Sequence, residues 1–408
     1  MGELLIGTAG ILALLAVGAY EKWKRRTAPS RAESREPAPH SWRPVANALA
    51  RAVSPLSASL EAFRDENHAQ AMVAIVYGMN RSLKLRSTGR TEGDVETGHL
   101  GFDRQLYVQA NPDRVRALLD APTRDALLDL LRGPLRGGEL AVDGGELRAV
   151  VPAGGYASLA DAVPLIARVA RRLATHIDVP SELARSARTD SVSGVRLLCL
   201  RTLLREYSSQ ASIVHPVVRQ AAGDPDAEVR LEAAMALGTE GLPVLEALVA
   251  DASVEDGLSA RAAEALGDRM PAHVARATLW QELAASIRRH RLATACACAS
   301  ALGLRGEPQD EDLLLQALPE GRDEALRLSA ARALGAIGSV RAVPSLAELS
   351  SSDSGALRRA GGEAIAAIQS RLPGATPGQL SLGTADSGHV SLADDVAGRL
   401  SDPDRSGR

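Results

Sequence analysis

The sequence predicts a mostly α-helical protein in three parts: an N-terminal transmembrane helix, a small α+β domain and an α-solenoid of helical-pair repeats. An uncharged apolar run occupies residues 4–20, and strand-like alternation of apolar and polar residues appears between residues 56 and 178. One alanine- and glycine-rich motif then recurs between residues 190 and 372. Because a helical motif repeated at a regular period is typical of stacked repeat arrays, we expect the third part to be an α-solenoid.

The composition favours closely packed helices. Hydrophobic residues make up 45% of the 408 residues, whereas aromatic residues make up only 2%. A core of Ala, Leu and Val suits helices at close approach better than a β-sandwich. The formal net charge of −3 gives no whole-chain electrostatic argument for a nucleic-acid partner. Cys199, Cys296 and Cys298 follow no disulfide pattern, so we expect buried thiols in a reducing compartment.

The apolar run is predicted to be a single-pass anchor that contacts the lipid bilayer through residues 4–20, in an N-terminal segment of residues 1–21. An α-helix of this length spans about 25 Å, the short end of the range for crossing a bilayer. Basic residues cluster at positions 22–26, whereas the charge before the run is Glu3. By the positive-inside rule, the large C-terminal part is expected in the cytoplasm. The alternative is a cleaved signal peptide with Val17-Gly18-Ala19 as its cleavage site.

Two segments follow the anchor. Residues 22–55 are rich in Pro, Ala, Ser and Arg, and are predicted to be a semi-rigid linker without a core. Residues 56–178 are predicted to be the small α+β domain. Its expected strands are short apolar or alternating runs, at residues 71–77, 82–86, 105–109, 139–143 and 146–151. Its expected helices begin at Asn111 and Ala121, and a last one covers about residues 158–176.

This domain contains titratable residues but no catalytic motif. The candidates are His68, His99, Asp103, Asp143 and His176, which lie on separate predicted elements. No nucleophile motif, metal-ligand spacing or phosphate-binding loop joins them. We therefore predict no catalytic, cofactor-binding or metal-binding residue, and expect Asp103 to be a hydrogen-bonding group in a loop or at the start of a strand.

Three passages of the domain carry a resemblance. Residues 101–108, 115–119 and 140–148 resemble a small uncharacterised domain of membrane-anchored bacterial proteins. The resemblance covers roughly a hundred residues. That family has no agreed activity, so the resemblance implies a fold and no site.

The repeated motif is a branched residue, usually followed by arginine, then two small residues and Ala-Leu-Gly. Its clearest copy, residues 229–238, recurs position for position at residues 326–335. Equivalent stretches begin near residues 195, 258, 294 and 357, so the spacing is about 29 to 36 residues. We predict about six units over residues 190–372, each with a second apolar helix after its glycine.

Eight motif residues are predicted to be structural rather than functional. The glycines are expected to end the first helix of each unit, because a left-handed residue is least costly as glycine. The arginines recur at one helical position and are expected to form a ladder between adjacent units. These residues are Gly238, Gly267, Gly303 and Gly335, and Arg196, Arg230, Arg327 and Arg358.

These units resemble HEAT-type repeats, close to the short bacterial variety named for the phycobilisome lyases. The resemblance covers roughly 180 residues and implies an extended concave surface that holds other proteins. Some HEAT-like proteins attach bilins and others are DNA glycosylases. Residues 190–372 contain about 19 arginines against 24 acids, and few aromatic residues besides Tyr207 and Trp280. This composition disfavours a nucleic-acid groove or a pigment pocket. The one basic cluster, residues 288–291, is expected at a helix junction, where cations favour the C-terminal end of a helix.

The tail, residues 373–408, is polar and is expected to be disordered. Residues 378–382 and 388–392 are two similar alternating passages, ten positions apart. Either passage could instead add as a strand to the sheet edge of another protein.

The expected function is a scaffold or adaptor tethered to the cytoplasmic face of a bacterial inner membrane, with a protein partner docked on the solenoid. We expect no cofactor and no enzymatic activity. One alternative is an accessory protein of the lyase-like or cofactor-handling kind. The other is a periplasmic repeat protein released by signal cleavage.

Overall fold

The computed structural model describes residues 36–37, 39–64, 70–151, 156–269, 272–305, 307–319, 322–372, 380–382 and 390–392. The chain divides into two compact units, Met1–Glu182 and Leu183–Arg408. The predicted anchor at residues 4–20 and most of the tail lie outside the described residues. The two units are therefore described separately.

The first unit is built around a seven-stranded antiparallel sheet with the spatial order β1-β2-β3-β7-β6-β4-β5. The strands are β1 (Glu36–Pro37), β2 (Ala58–Arg64), β3 (Gln70–Tyr77), β4 (Lys84–Arg86), β5 (Tyr107–Gln109), β6 (Glu139–Asp143) and β7 (Glu146–Val151). The predicted hairpin is present: β6 and β7 pair around Gly144 and Gly145, which have φ values of 61° and 93°. Such left-handed backbone at both turn residues is why this hairpin requires glycines.

Helices cover one face of this sheet. They are α1 (Arg43–Val53), α2 (Leu100–Asp103), α3 (Pro112–Leu118), α4 (Ala121–Arg132) and α5 (Tyr156–Ala174). Buried residues of α1, α4 and α5 share one core with alternate residues of the strands. The predicted Asn111 cap of α3 is confirmed, because its side chain accepts hydrogen bonds from the N–H groups of Asp113 and Arg114.

The predicted linker is wrong at residues 43–53. This segment is helix α1, and Val45, Leu49 and Val53 are buried in the core of the first unit. These three residues recur every fourth position, so they form one apolar stripe. Pro44 stands in the first turn, where proline is compatible with a helix. The abundance of Pro and Arg obscured this stripe in the sequence.

The second unit is almost entirely helical. After α6 (Val179–Thr189), its helices are α7 (Ser193–Glu206), α8 (Ala211–Ala221), α9 (Ala227–Leu237), α10 (Leu242–Ala250), α11 (Asp256–Arg269), α12 (Ala272–Arg289), α13 (Leu292–Arg305), α14 (Glu311–Leu315), α15 (Glu324–Ile337), α16 (Val343–Ser350) and α17 (Gly355–Ser370). The six motif copies lie on α7, α9, α11, α13, α15 and α17, which we call the motif helices. The second helices are α8, α10, α12, α14 and α16. Each motif helix packs against the next motif helix along the chain.

Among the described residues, one helical stretch, residues 227–250, is long and apolar enough to cross a membrane by length and composition. It consists of α9 and α10, joined by a 3-10 turn at Gly238–Gly241. Its side chains, including Leu231 and Leu248, belong to the core of the second unit. Packing in that core accounts for part of its hydropathy, because about a third of the stretch is buried.

The prediction of a disordered tail is wrong at two short segments. The antiparallel strands β8 (Leu380–Leu382) and β9 (Val390–Leu392) pair with each other, with Leu380 opposite Leu392. These strands are the ends of the two similar passages, so each passage finds its partner strand in the other.

Candidate functional site

The motif glycines take two different roles. Gly238 follows α9 with φ 61°, and no atom lies within 4 Å of a Cβ added there, so it ends a helix as predicted. The prediction is wrong for Gly267, Gly303 and Gly335, which lie inside α11, α13 and α15. These three glycines have no left-handed backbone and need another explanation.

Close contact between motif helices explains the three internal glycines. A Cβ added at each would overlap a neighbouring motif helix: 2.6 Å from the Ala301 Cβ at Gly267, 2.6 Å from the Ala333 Cα at Gly303, and 3.0 Å from the Ala364 Cα at Gly335. Each of these alanines stands two positions before the closing residue of the next motif copy. The Ala-Leu-Gly sequence therefore supplies both halves of the contact, the glycine to one neighbour and the alanine to the other.

The motif arginines do not form the predicted ladder. Arg230 and Arg358 each donate from Nη1 to two carbonyls of the turn leading into their own helix, at 2.8 to 3.0 Å. The Nε of Arg327 likewise donates to the Leu318 carbonyl, at 2.9 Å. The carbonyls of these turns have no helical hydrogen-bond partners and are the nearest acceptors for the three arginines. The predicted ladder between units is therefore wrong for Arg230, Arg327 and Arg358.

Arg196 is the motif arginine that spans two units among the described residues. Its guanidinium forms a bidentate pair with Asp224, at 2.8 and 2.7 Å, and its Nη1 donates to the Asp190 carbonyl at 2.8 Å. The hydrogen bonds that Arg196 donates to Asp224 raise the pKa of Arg196 above its ordinary value. Both side chains are largely buried, so this pair joins α7 to the turn before α9.

Further polar links between motif helices come from residues other than the motif arginines. The Asp256 carboxylate at the start of α11 accepts from the N–H and hydroxyl of Thr294 on α13, at 3.1 and 2.6 Å. Although burial opposes it, hydrogen bonding by Thr294 holds the pKa of Asp256 below its usual range. The Ser354 hydroxyl donates to Glu324 between α15 and α17 in the same manner, at 2.5 Å. The sequence does contain a signal for these links that the sequence analysis missed. It is an acidic residue in the first turn of one motif helix, followed by Ser or Thr near the start of the next motif helix.

The second helices are also joined to one another by polar side chains. Each link runs from one unit to the next and uses one carboxylate. The pairs are Glu246 with Thr278 at 3.3 Å, Asp310 with Arg276 at 2.8 and 2.9 Å, and Asp312 with Arg341 at 2.9 Å. The second helices therefore carry a row of acidic groups across three consecutive junctions.

An open cleft of about 240 Å³ lies on this row, lined by Arg276, Ala277, Trp280, Gln281 and Asp310. The Asp310 side chain is fully buried, and both its carboxylate oxygens accept from the Arg276 Nε. This hydrogen bonding raises the pKa of Arg276. Trp280, by contrast, is 45% exposed. The cleft thus combines a fixed ion pair with an indole open to solvent.

Asp103, His99 and Asp143, three of the titratable residues named from the sequence of the first unit, make local hydrogen bonds. Asp103 accepts from the Thr97 N–H and hydroxyl at 3.1 and 2.8 Å, so its predicted hydrogen-bonding role is confirmed, although it is the last residue of α2 rather than part of a loop or a strand start. The Nδ1 of His99 accepts from the Phe102 N–H at 3.0 Å and caps α2. The others are His68, outside the described residues, Asp143, in the hairpin turn, and His176, exposed. Within the described part of the chain, no group of three or more His, Cys, Asp or Glu side chains could hold a metal ion.

The basic cluster at residues 288–291 is partly structural. Arg288 and Arg289 are exposed in the last turn of α12. Arg291 folds back instead, and its Nη2 donates to the Val254 carbonyl and the Ser259 hydroxyl, at 2.9 and 2.7 Å. Only part of the cluster therefore faces solvent.

Two of the cysteines are buried as expected. Cys199 and Cys298 are buried, whereas Cys296 is half-buried. Burial raises the pKa of the Cys298 thiol to about 12. A thiol with this pKa is protonated at neutral pH and is a poor nucleophile.

Stacked helical pairs with a recurring glycine–alanine contact define a helical repeat region. Residues 281–366 match a family model for HEAT repeats, which covers the motif copies on α13, α15 and α17. A comparison with curated proteins found no match. The chain therefore contains HEAT-like repeats, a scaffold suited to protein interaction.

Proposed function

We propose that this chain is a scaffold or adaptor that docks a protein partner on a HEAT-like α-solenoid. The observation that carries the proposal is the contact between Gly267, Gly303 and Gly335 and the alanines of the following motif helices, together with the HEAT match at residues 281–366. Because these motif glycines and alanines pack between units, we place the docking surface on the outward positions of the second helices. A fold that devotes its repeated residues to internal packing suits binding better than chemistry.

The proposal includes a tether to the cytoplasmic face of a bacterial inner membrane. The uncharged apolar run at residues 4–20 and the basic residues at positions 22–26 support it. The anchor would concentrate the docked partner at the bilayer. Alkaline phosphatase fused after Arg408 tests the orientation: we expect no phosphatase activity, and activity would refute a cytoplasmic location in favour of the periplasmic alternative.

Cross-linking on native membranes, followed by mass spectrometry, tests the docking function. We expect one dominant protein partner whose cross-links map to residues 183–372. A matched chain ending at residue 182 should lose the partner while keeping the membrane fraction. A bound pigment or nucleotide without a protein partner would contradict the scaffold and favour the accessory, lyase-like alternative.

A further inference from the structure

Trp280 is a large apolar side chain that is exposed on the surface of α12. It is 45% exposed on α12, although the neighbouring Leu279 and Leu283 are fully buried in the core of the second unit. Exposing an indole costs free energy in an isolated protein, and tryptophan is enriched among the side chains that dominate binding at protein interfaces. The cleft beside Trp280 is therefore a candidate contact point within the second-helix surface.

The charges around this cleft are predominantly negative. Asp310 lines the cleft, and the half-exposed Glu307 lies 3.5 Å from the Arg276 guanidinium. Against these two carboxylates, the described lining of the cleft contributes one cation, Arg276.

Arg276 does not make the cleft an anion site. Its Nε is bound to both oxygens of the buried Asp310, its Nη2 donates to the Gln309 side chain at 3.3 Å, and its Nη1 faces Glu307. A phosphate or carboxylate of a partner would meet a guanidinium already neutralised by Asp310, with Glu307 beside it. The local field opposes an anion and attracts a cation.

We propose that the Trp280 cleft receives a cationic side chain, arginine or lysine, of the protein partner. The cation lies over the indole face and near Glu307, which combines cation–π attraction with charge complementarity. This inference rests on the proposed scaffold function and assigns it a contact point and a partner chemistry.

A small probe tests the cleft without knowledge of the partner. The full chain contains three tryptophans, so 5-fluorotryptophan labelling gives three ¹⁹F resonances, and Trp280→Phe assigns one of them. We expect N-acetyl-arginine amide to shift the Trp280 resonance in a saturable manner. N-acetyl-citrulline amide, its neutral isostere, should bind at least about fivefold more weakly, and Glu307→Gln should weaken the arginine probe about two- to fivefold. No shift, or an equal response to both probes, overturns the proposal.

Partner capture on native membranes separates this inference from the proposed function. Trp280→Ala should weaken capture about tenfold or more, whereas Leu304→Ala, a matched change at an exposed residue of α13 outside the cleft, should leave it unchanged. Unchanged helical circular dichroism establishes that both variants fold. If wild type captures a partner and Trp280→Ala captures it equally, the cleft assignment fails while the scaffold stands. If wild type captures none, the scaffold itself fails.

Discussion

The same substitution, glycine to alanine, should have opposite effects at two helical positions of the repeat region. At Gly267, the new Cβ would lie 2.6 Å from the Ala301 Cβ and 3.2 Å from its Cα. At Gly362, also inside a motif helix, nothing lies within 4 Å of the added Cβ. We therefore predict that Gly267→Ala destabilises the second unit, whereas Gly362→Ala stabilises it.

The magnitude follows from the separation of α11 and α13. Carbon atoms in contact lie about 3.5 to 4.0 Å apart, so the two helices must separate by roughly 1 Å to admit the methyl group. Overpacking of this kind costs about 1–3 kcal/mol. Alanine in place of glycine in a helix returns up to about 1 kcal/mol, and that gain is shared by both variants. The free energy of unfolding should therefore differ between the two variants by about 1–3 kcal/mol.

Urea unfolding of the purified chain, followed by helical circular dichroism, measures the difference. Ala301→Gly in the Gly267→Ala background removes the overlapping methyl group, so the double variant should recover part of the loss beyond additivity. Equal or greater stability of Gly267→Ala relative to Gly362→Ala would refute the close contact. An absence of coupling with Ala301→Gly would refute the assignment of its partner.

Three further predictions concern single side chains. Arg196→Ala should lower the free energy of unfolding by about 3 kcal/mol in the same urea assay, because it leaves the largely buried Asp224 carboxylate without its guanidinium partner. Arg230→Ala should lower it by less, because this side chain donates its hydrogen bonds to backbone carbonyls. Thr294→Val should destabilise the chain by about 1 kcal/mol at neutral pH. The pKa of Asp256 is depressed in the folded state, so its hydrogen bond with Thr294 stabilises the fold above the unfolded pKa of 3.8 and loses this effect as the pH falls below 3.8. Wild type and Thr294→Val should therefore converge in stability in acid unfolding curves. Cys298 should resist iodoacetamide in the folded chain at pH 8 and react after unfolding, as peptide mass spectrometry would show; fast labelling of the folded chain would contradict its burial.

Elements with a local cause were predictable from the sequence. The Asn111 cap and the Gly144-Gly145 hairpin depend on neighbours within a few residues, and both are present. The helical nature of the repeats followed from the spacing of the motif. Asp103 was likewise recognised as a hydrogen-bonding group.

Elements decided by distant neighbours were not predictable. Gly267 contacts Ala301, thirty-four positions later, and no local pattern distinguishes this glycine from Gly238, which does end a helix. The cleft is a similar case, because Asp310 reaches Arg276 from the next unit. Single-sequence periodicity describes what one helix does alone, whereas these roles depend on which helix lies beside it.

The glycine–alanine contact also bears on how such an array can change in length. The motif copies on α13 and α15 each carry a glycine that contacts the alanine of the next copy, and an alanine that contacts the glycine of the copy before. A duplicated unit inserted between two others could form the glycine–alanine contact with both neighbours. Deletion of a whole unit would bring together a glycine and an alanine that can form the same contact. An insertion of part of a unit would instead place the wrong residue at the junction. This region can therefore gain or lose whole units of about thirty residues without loss of the glycine–alanine contact.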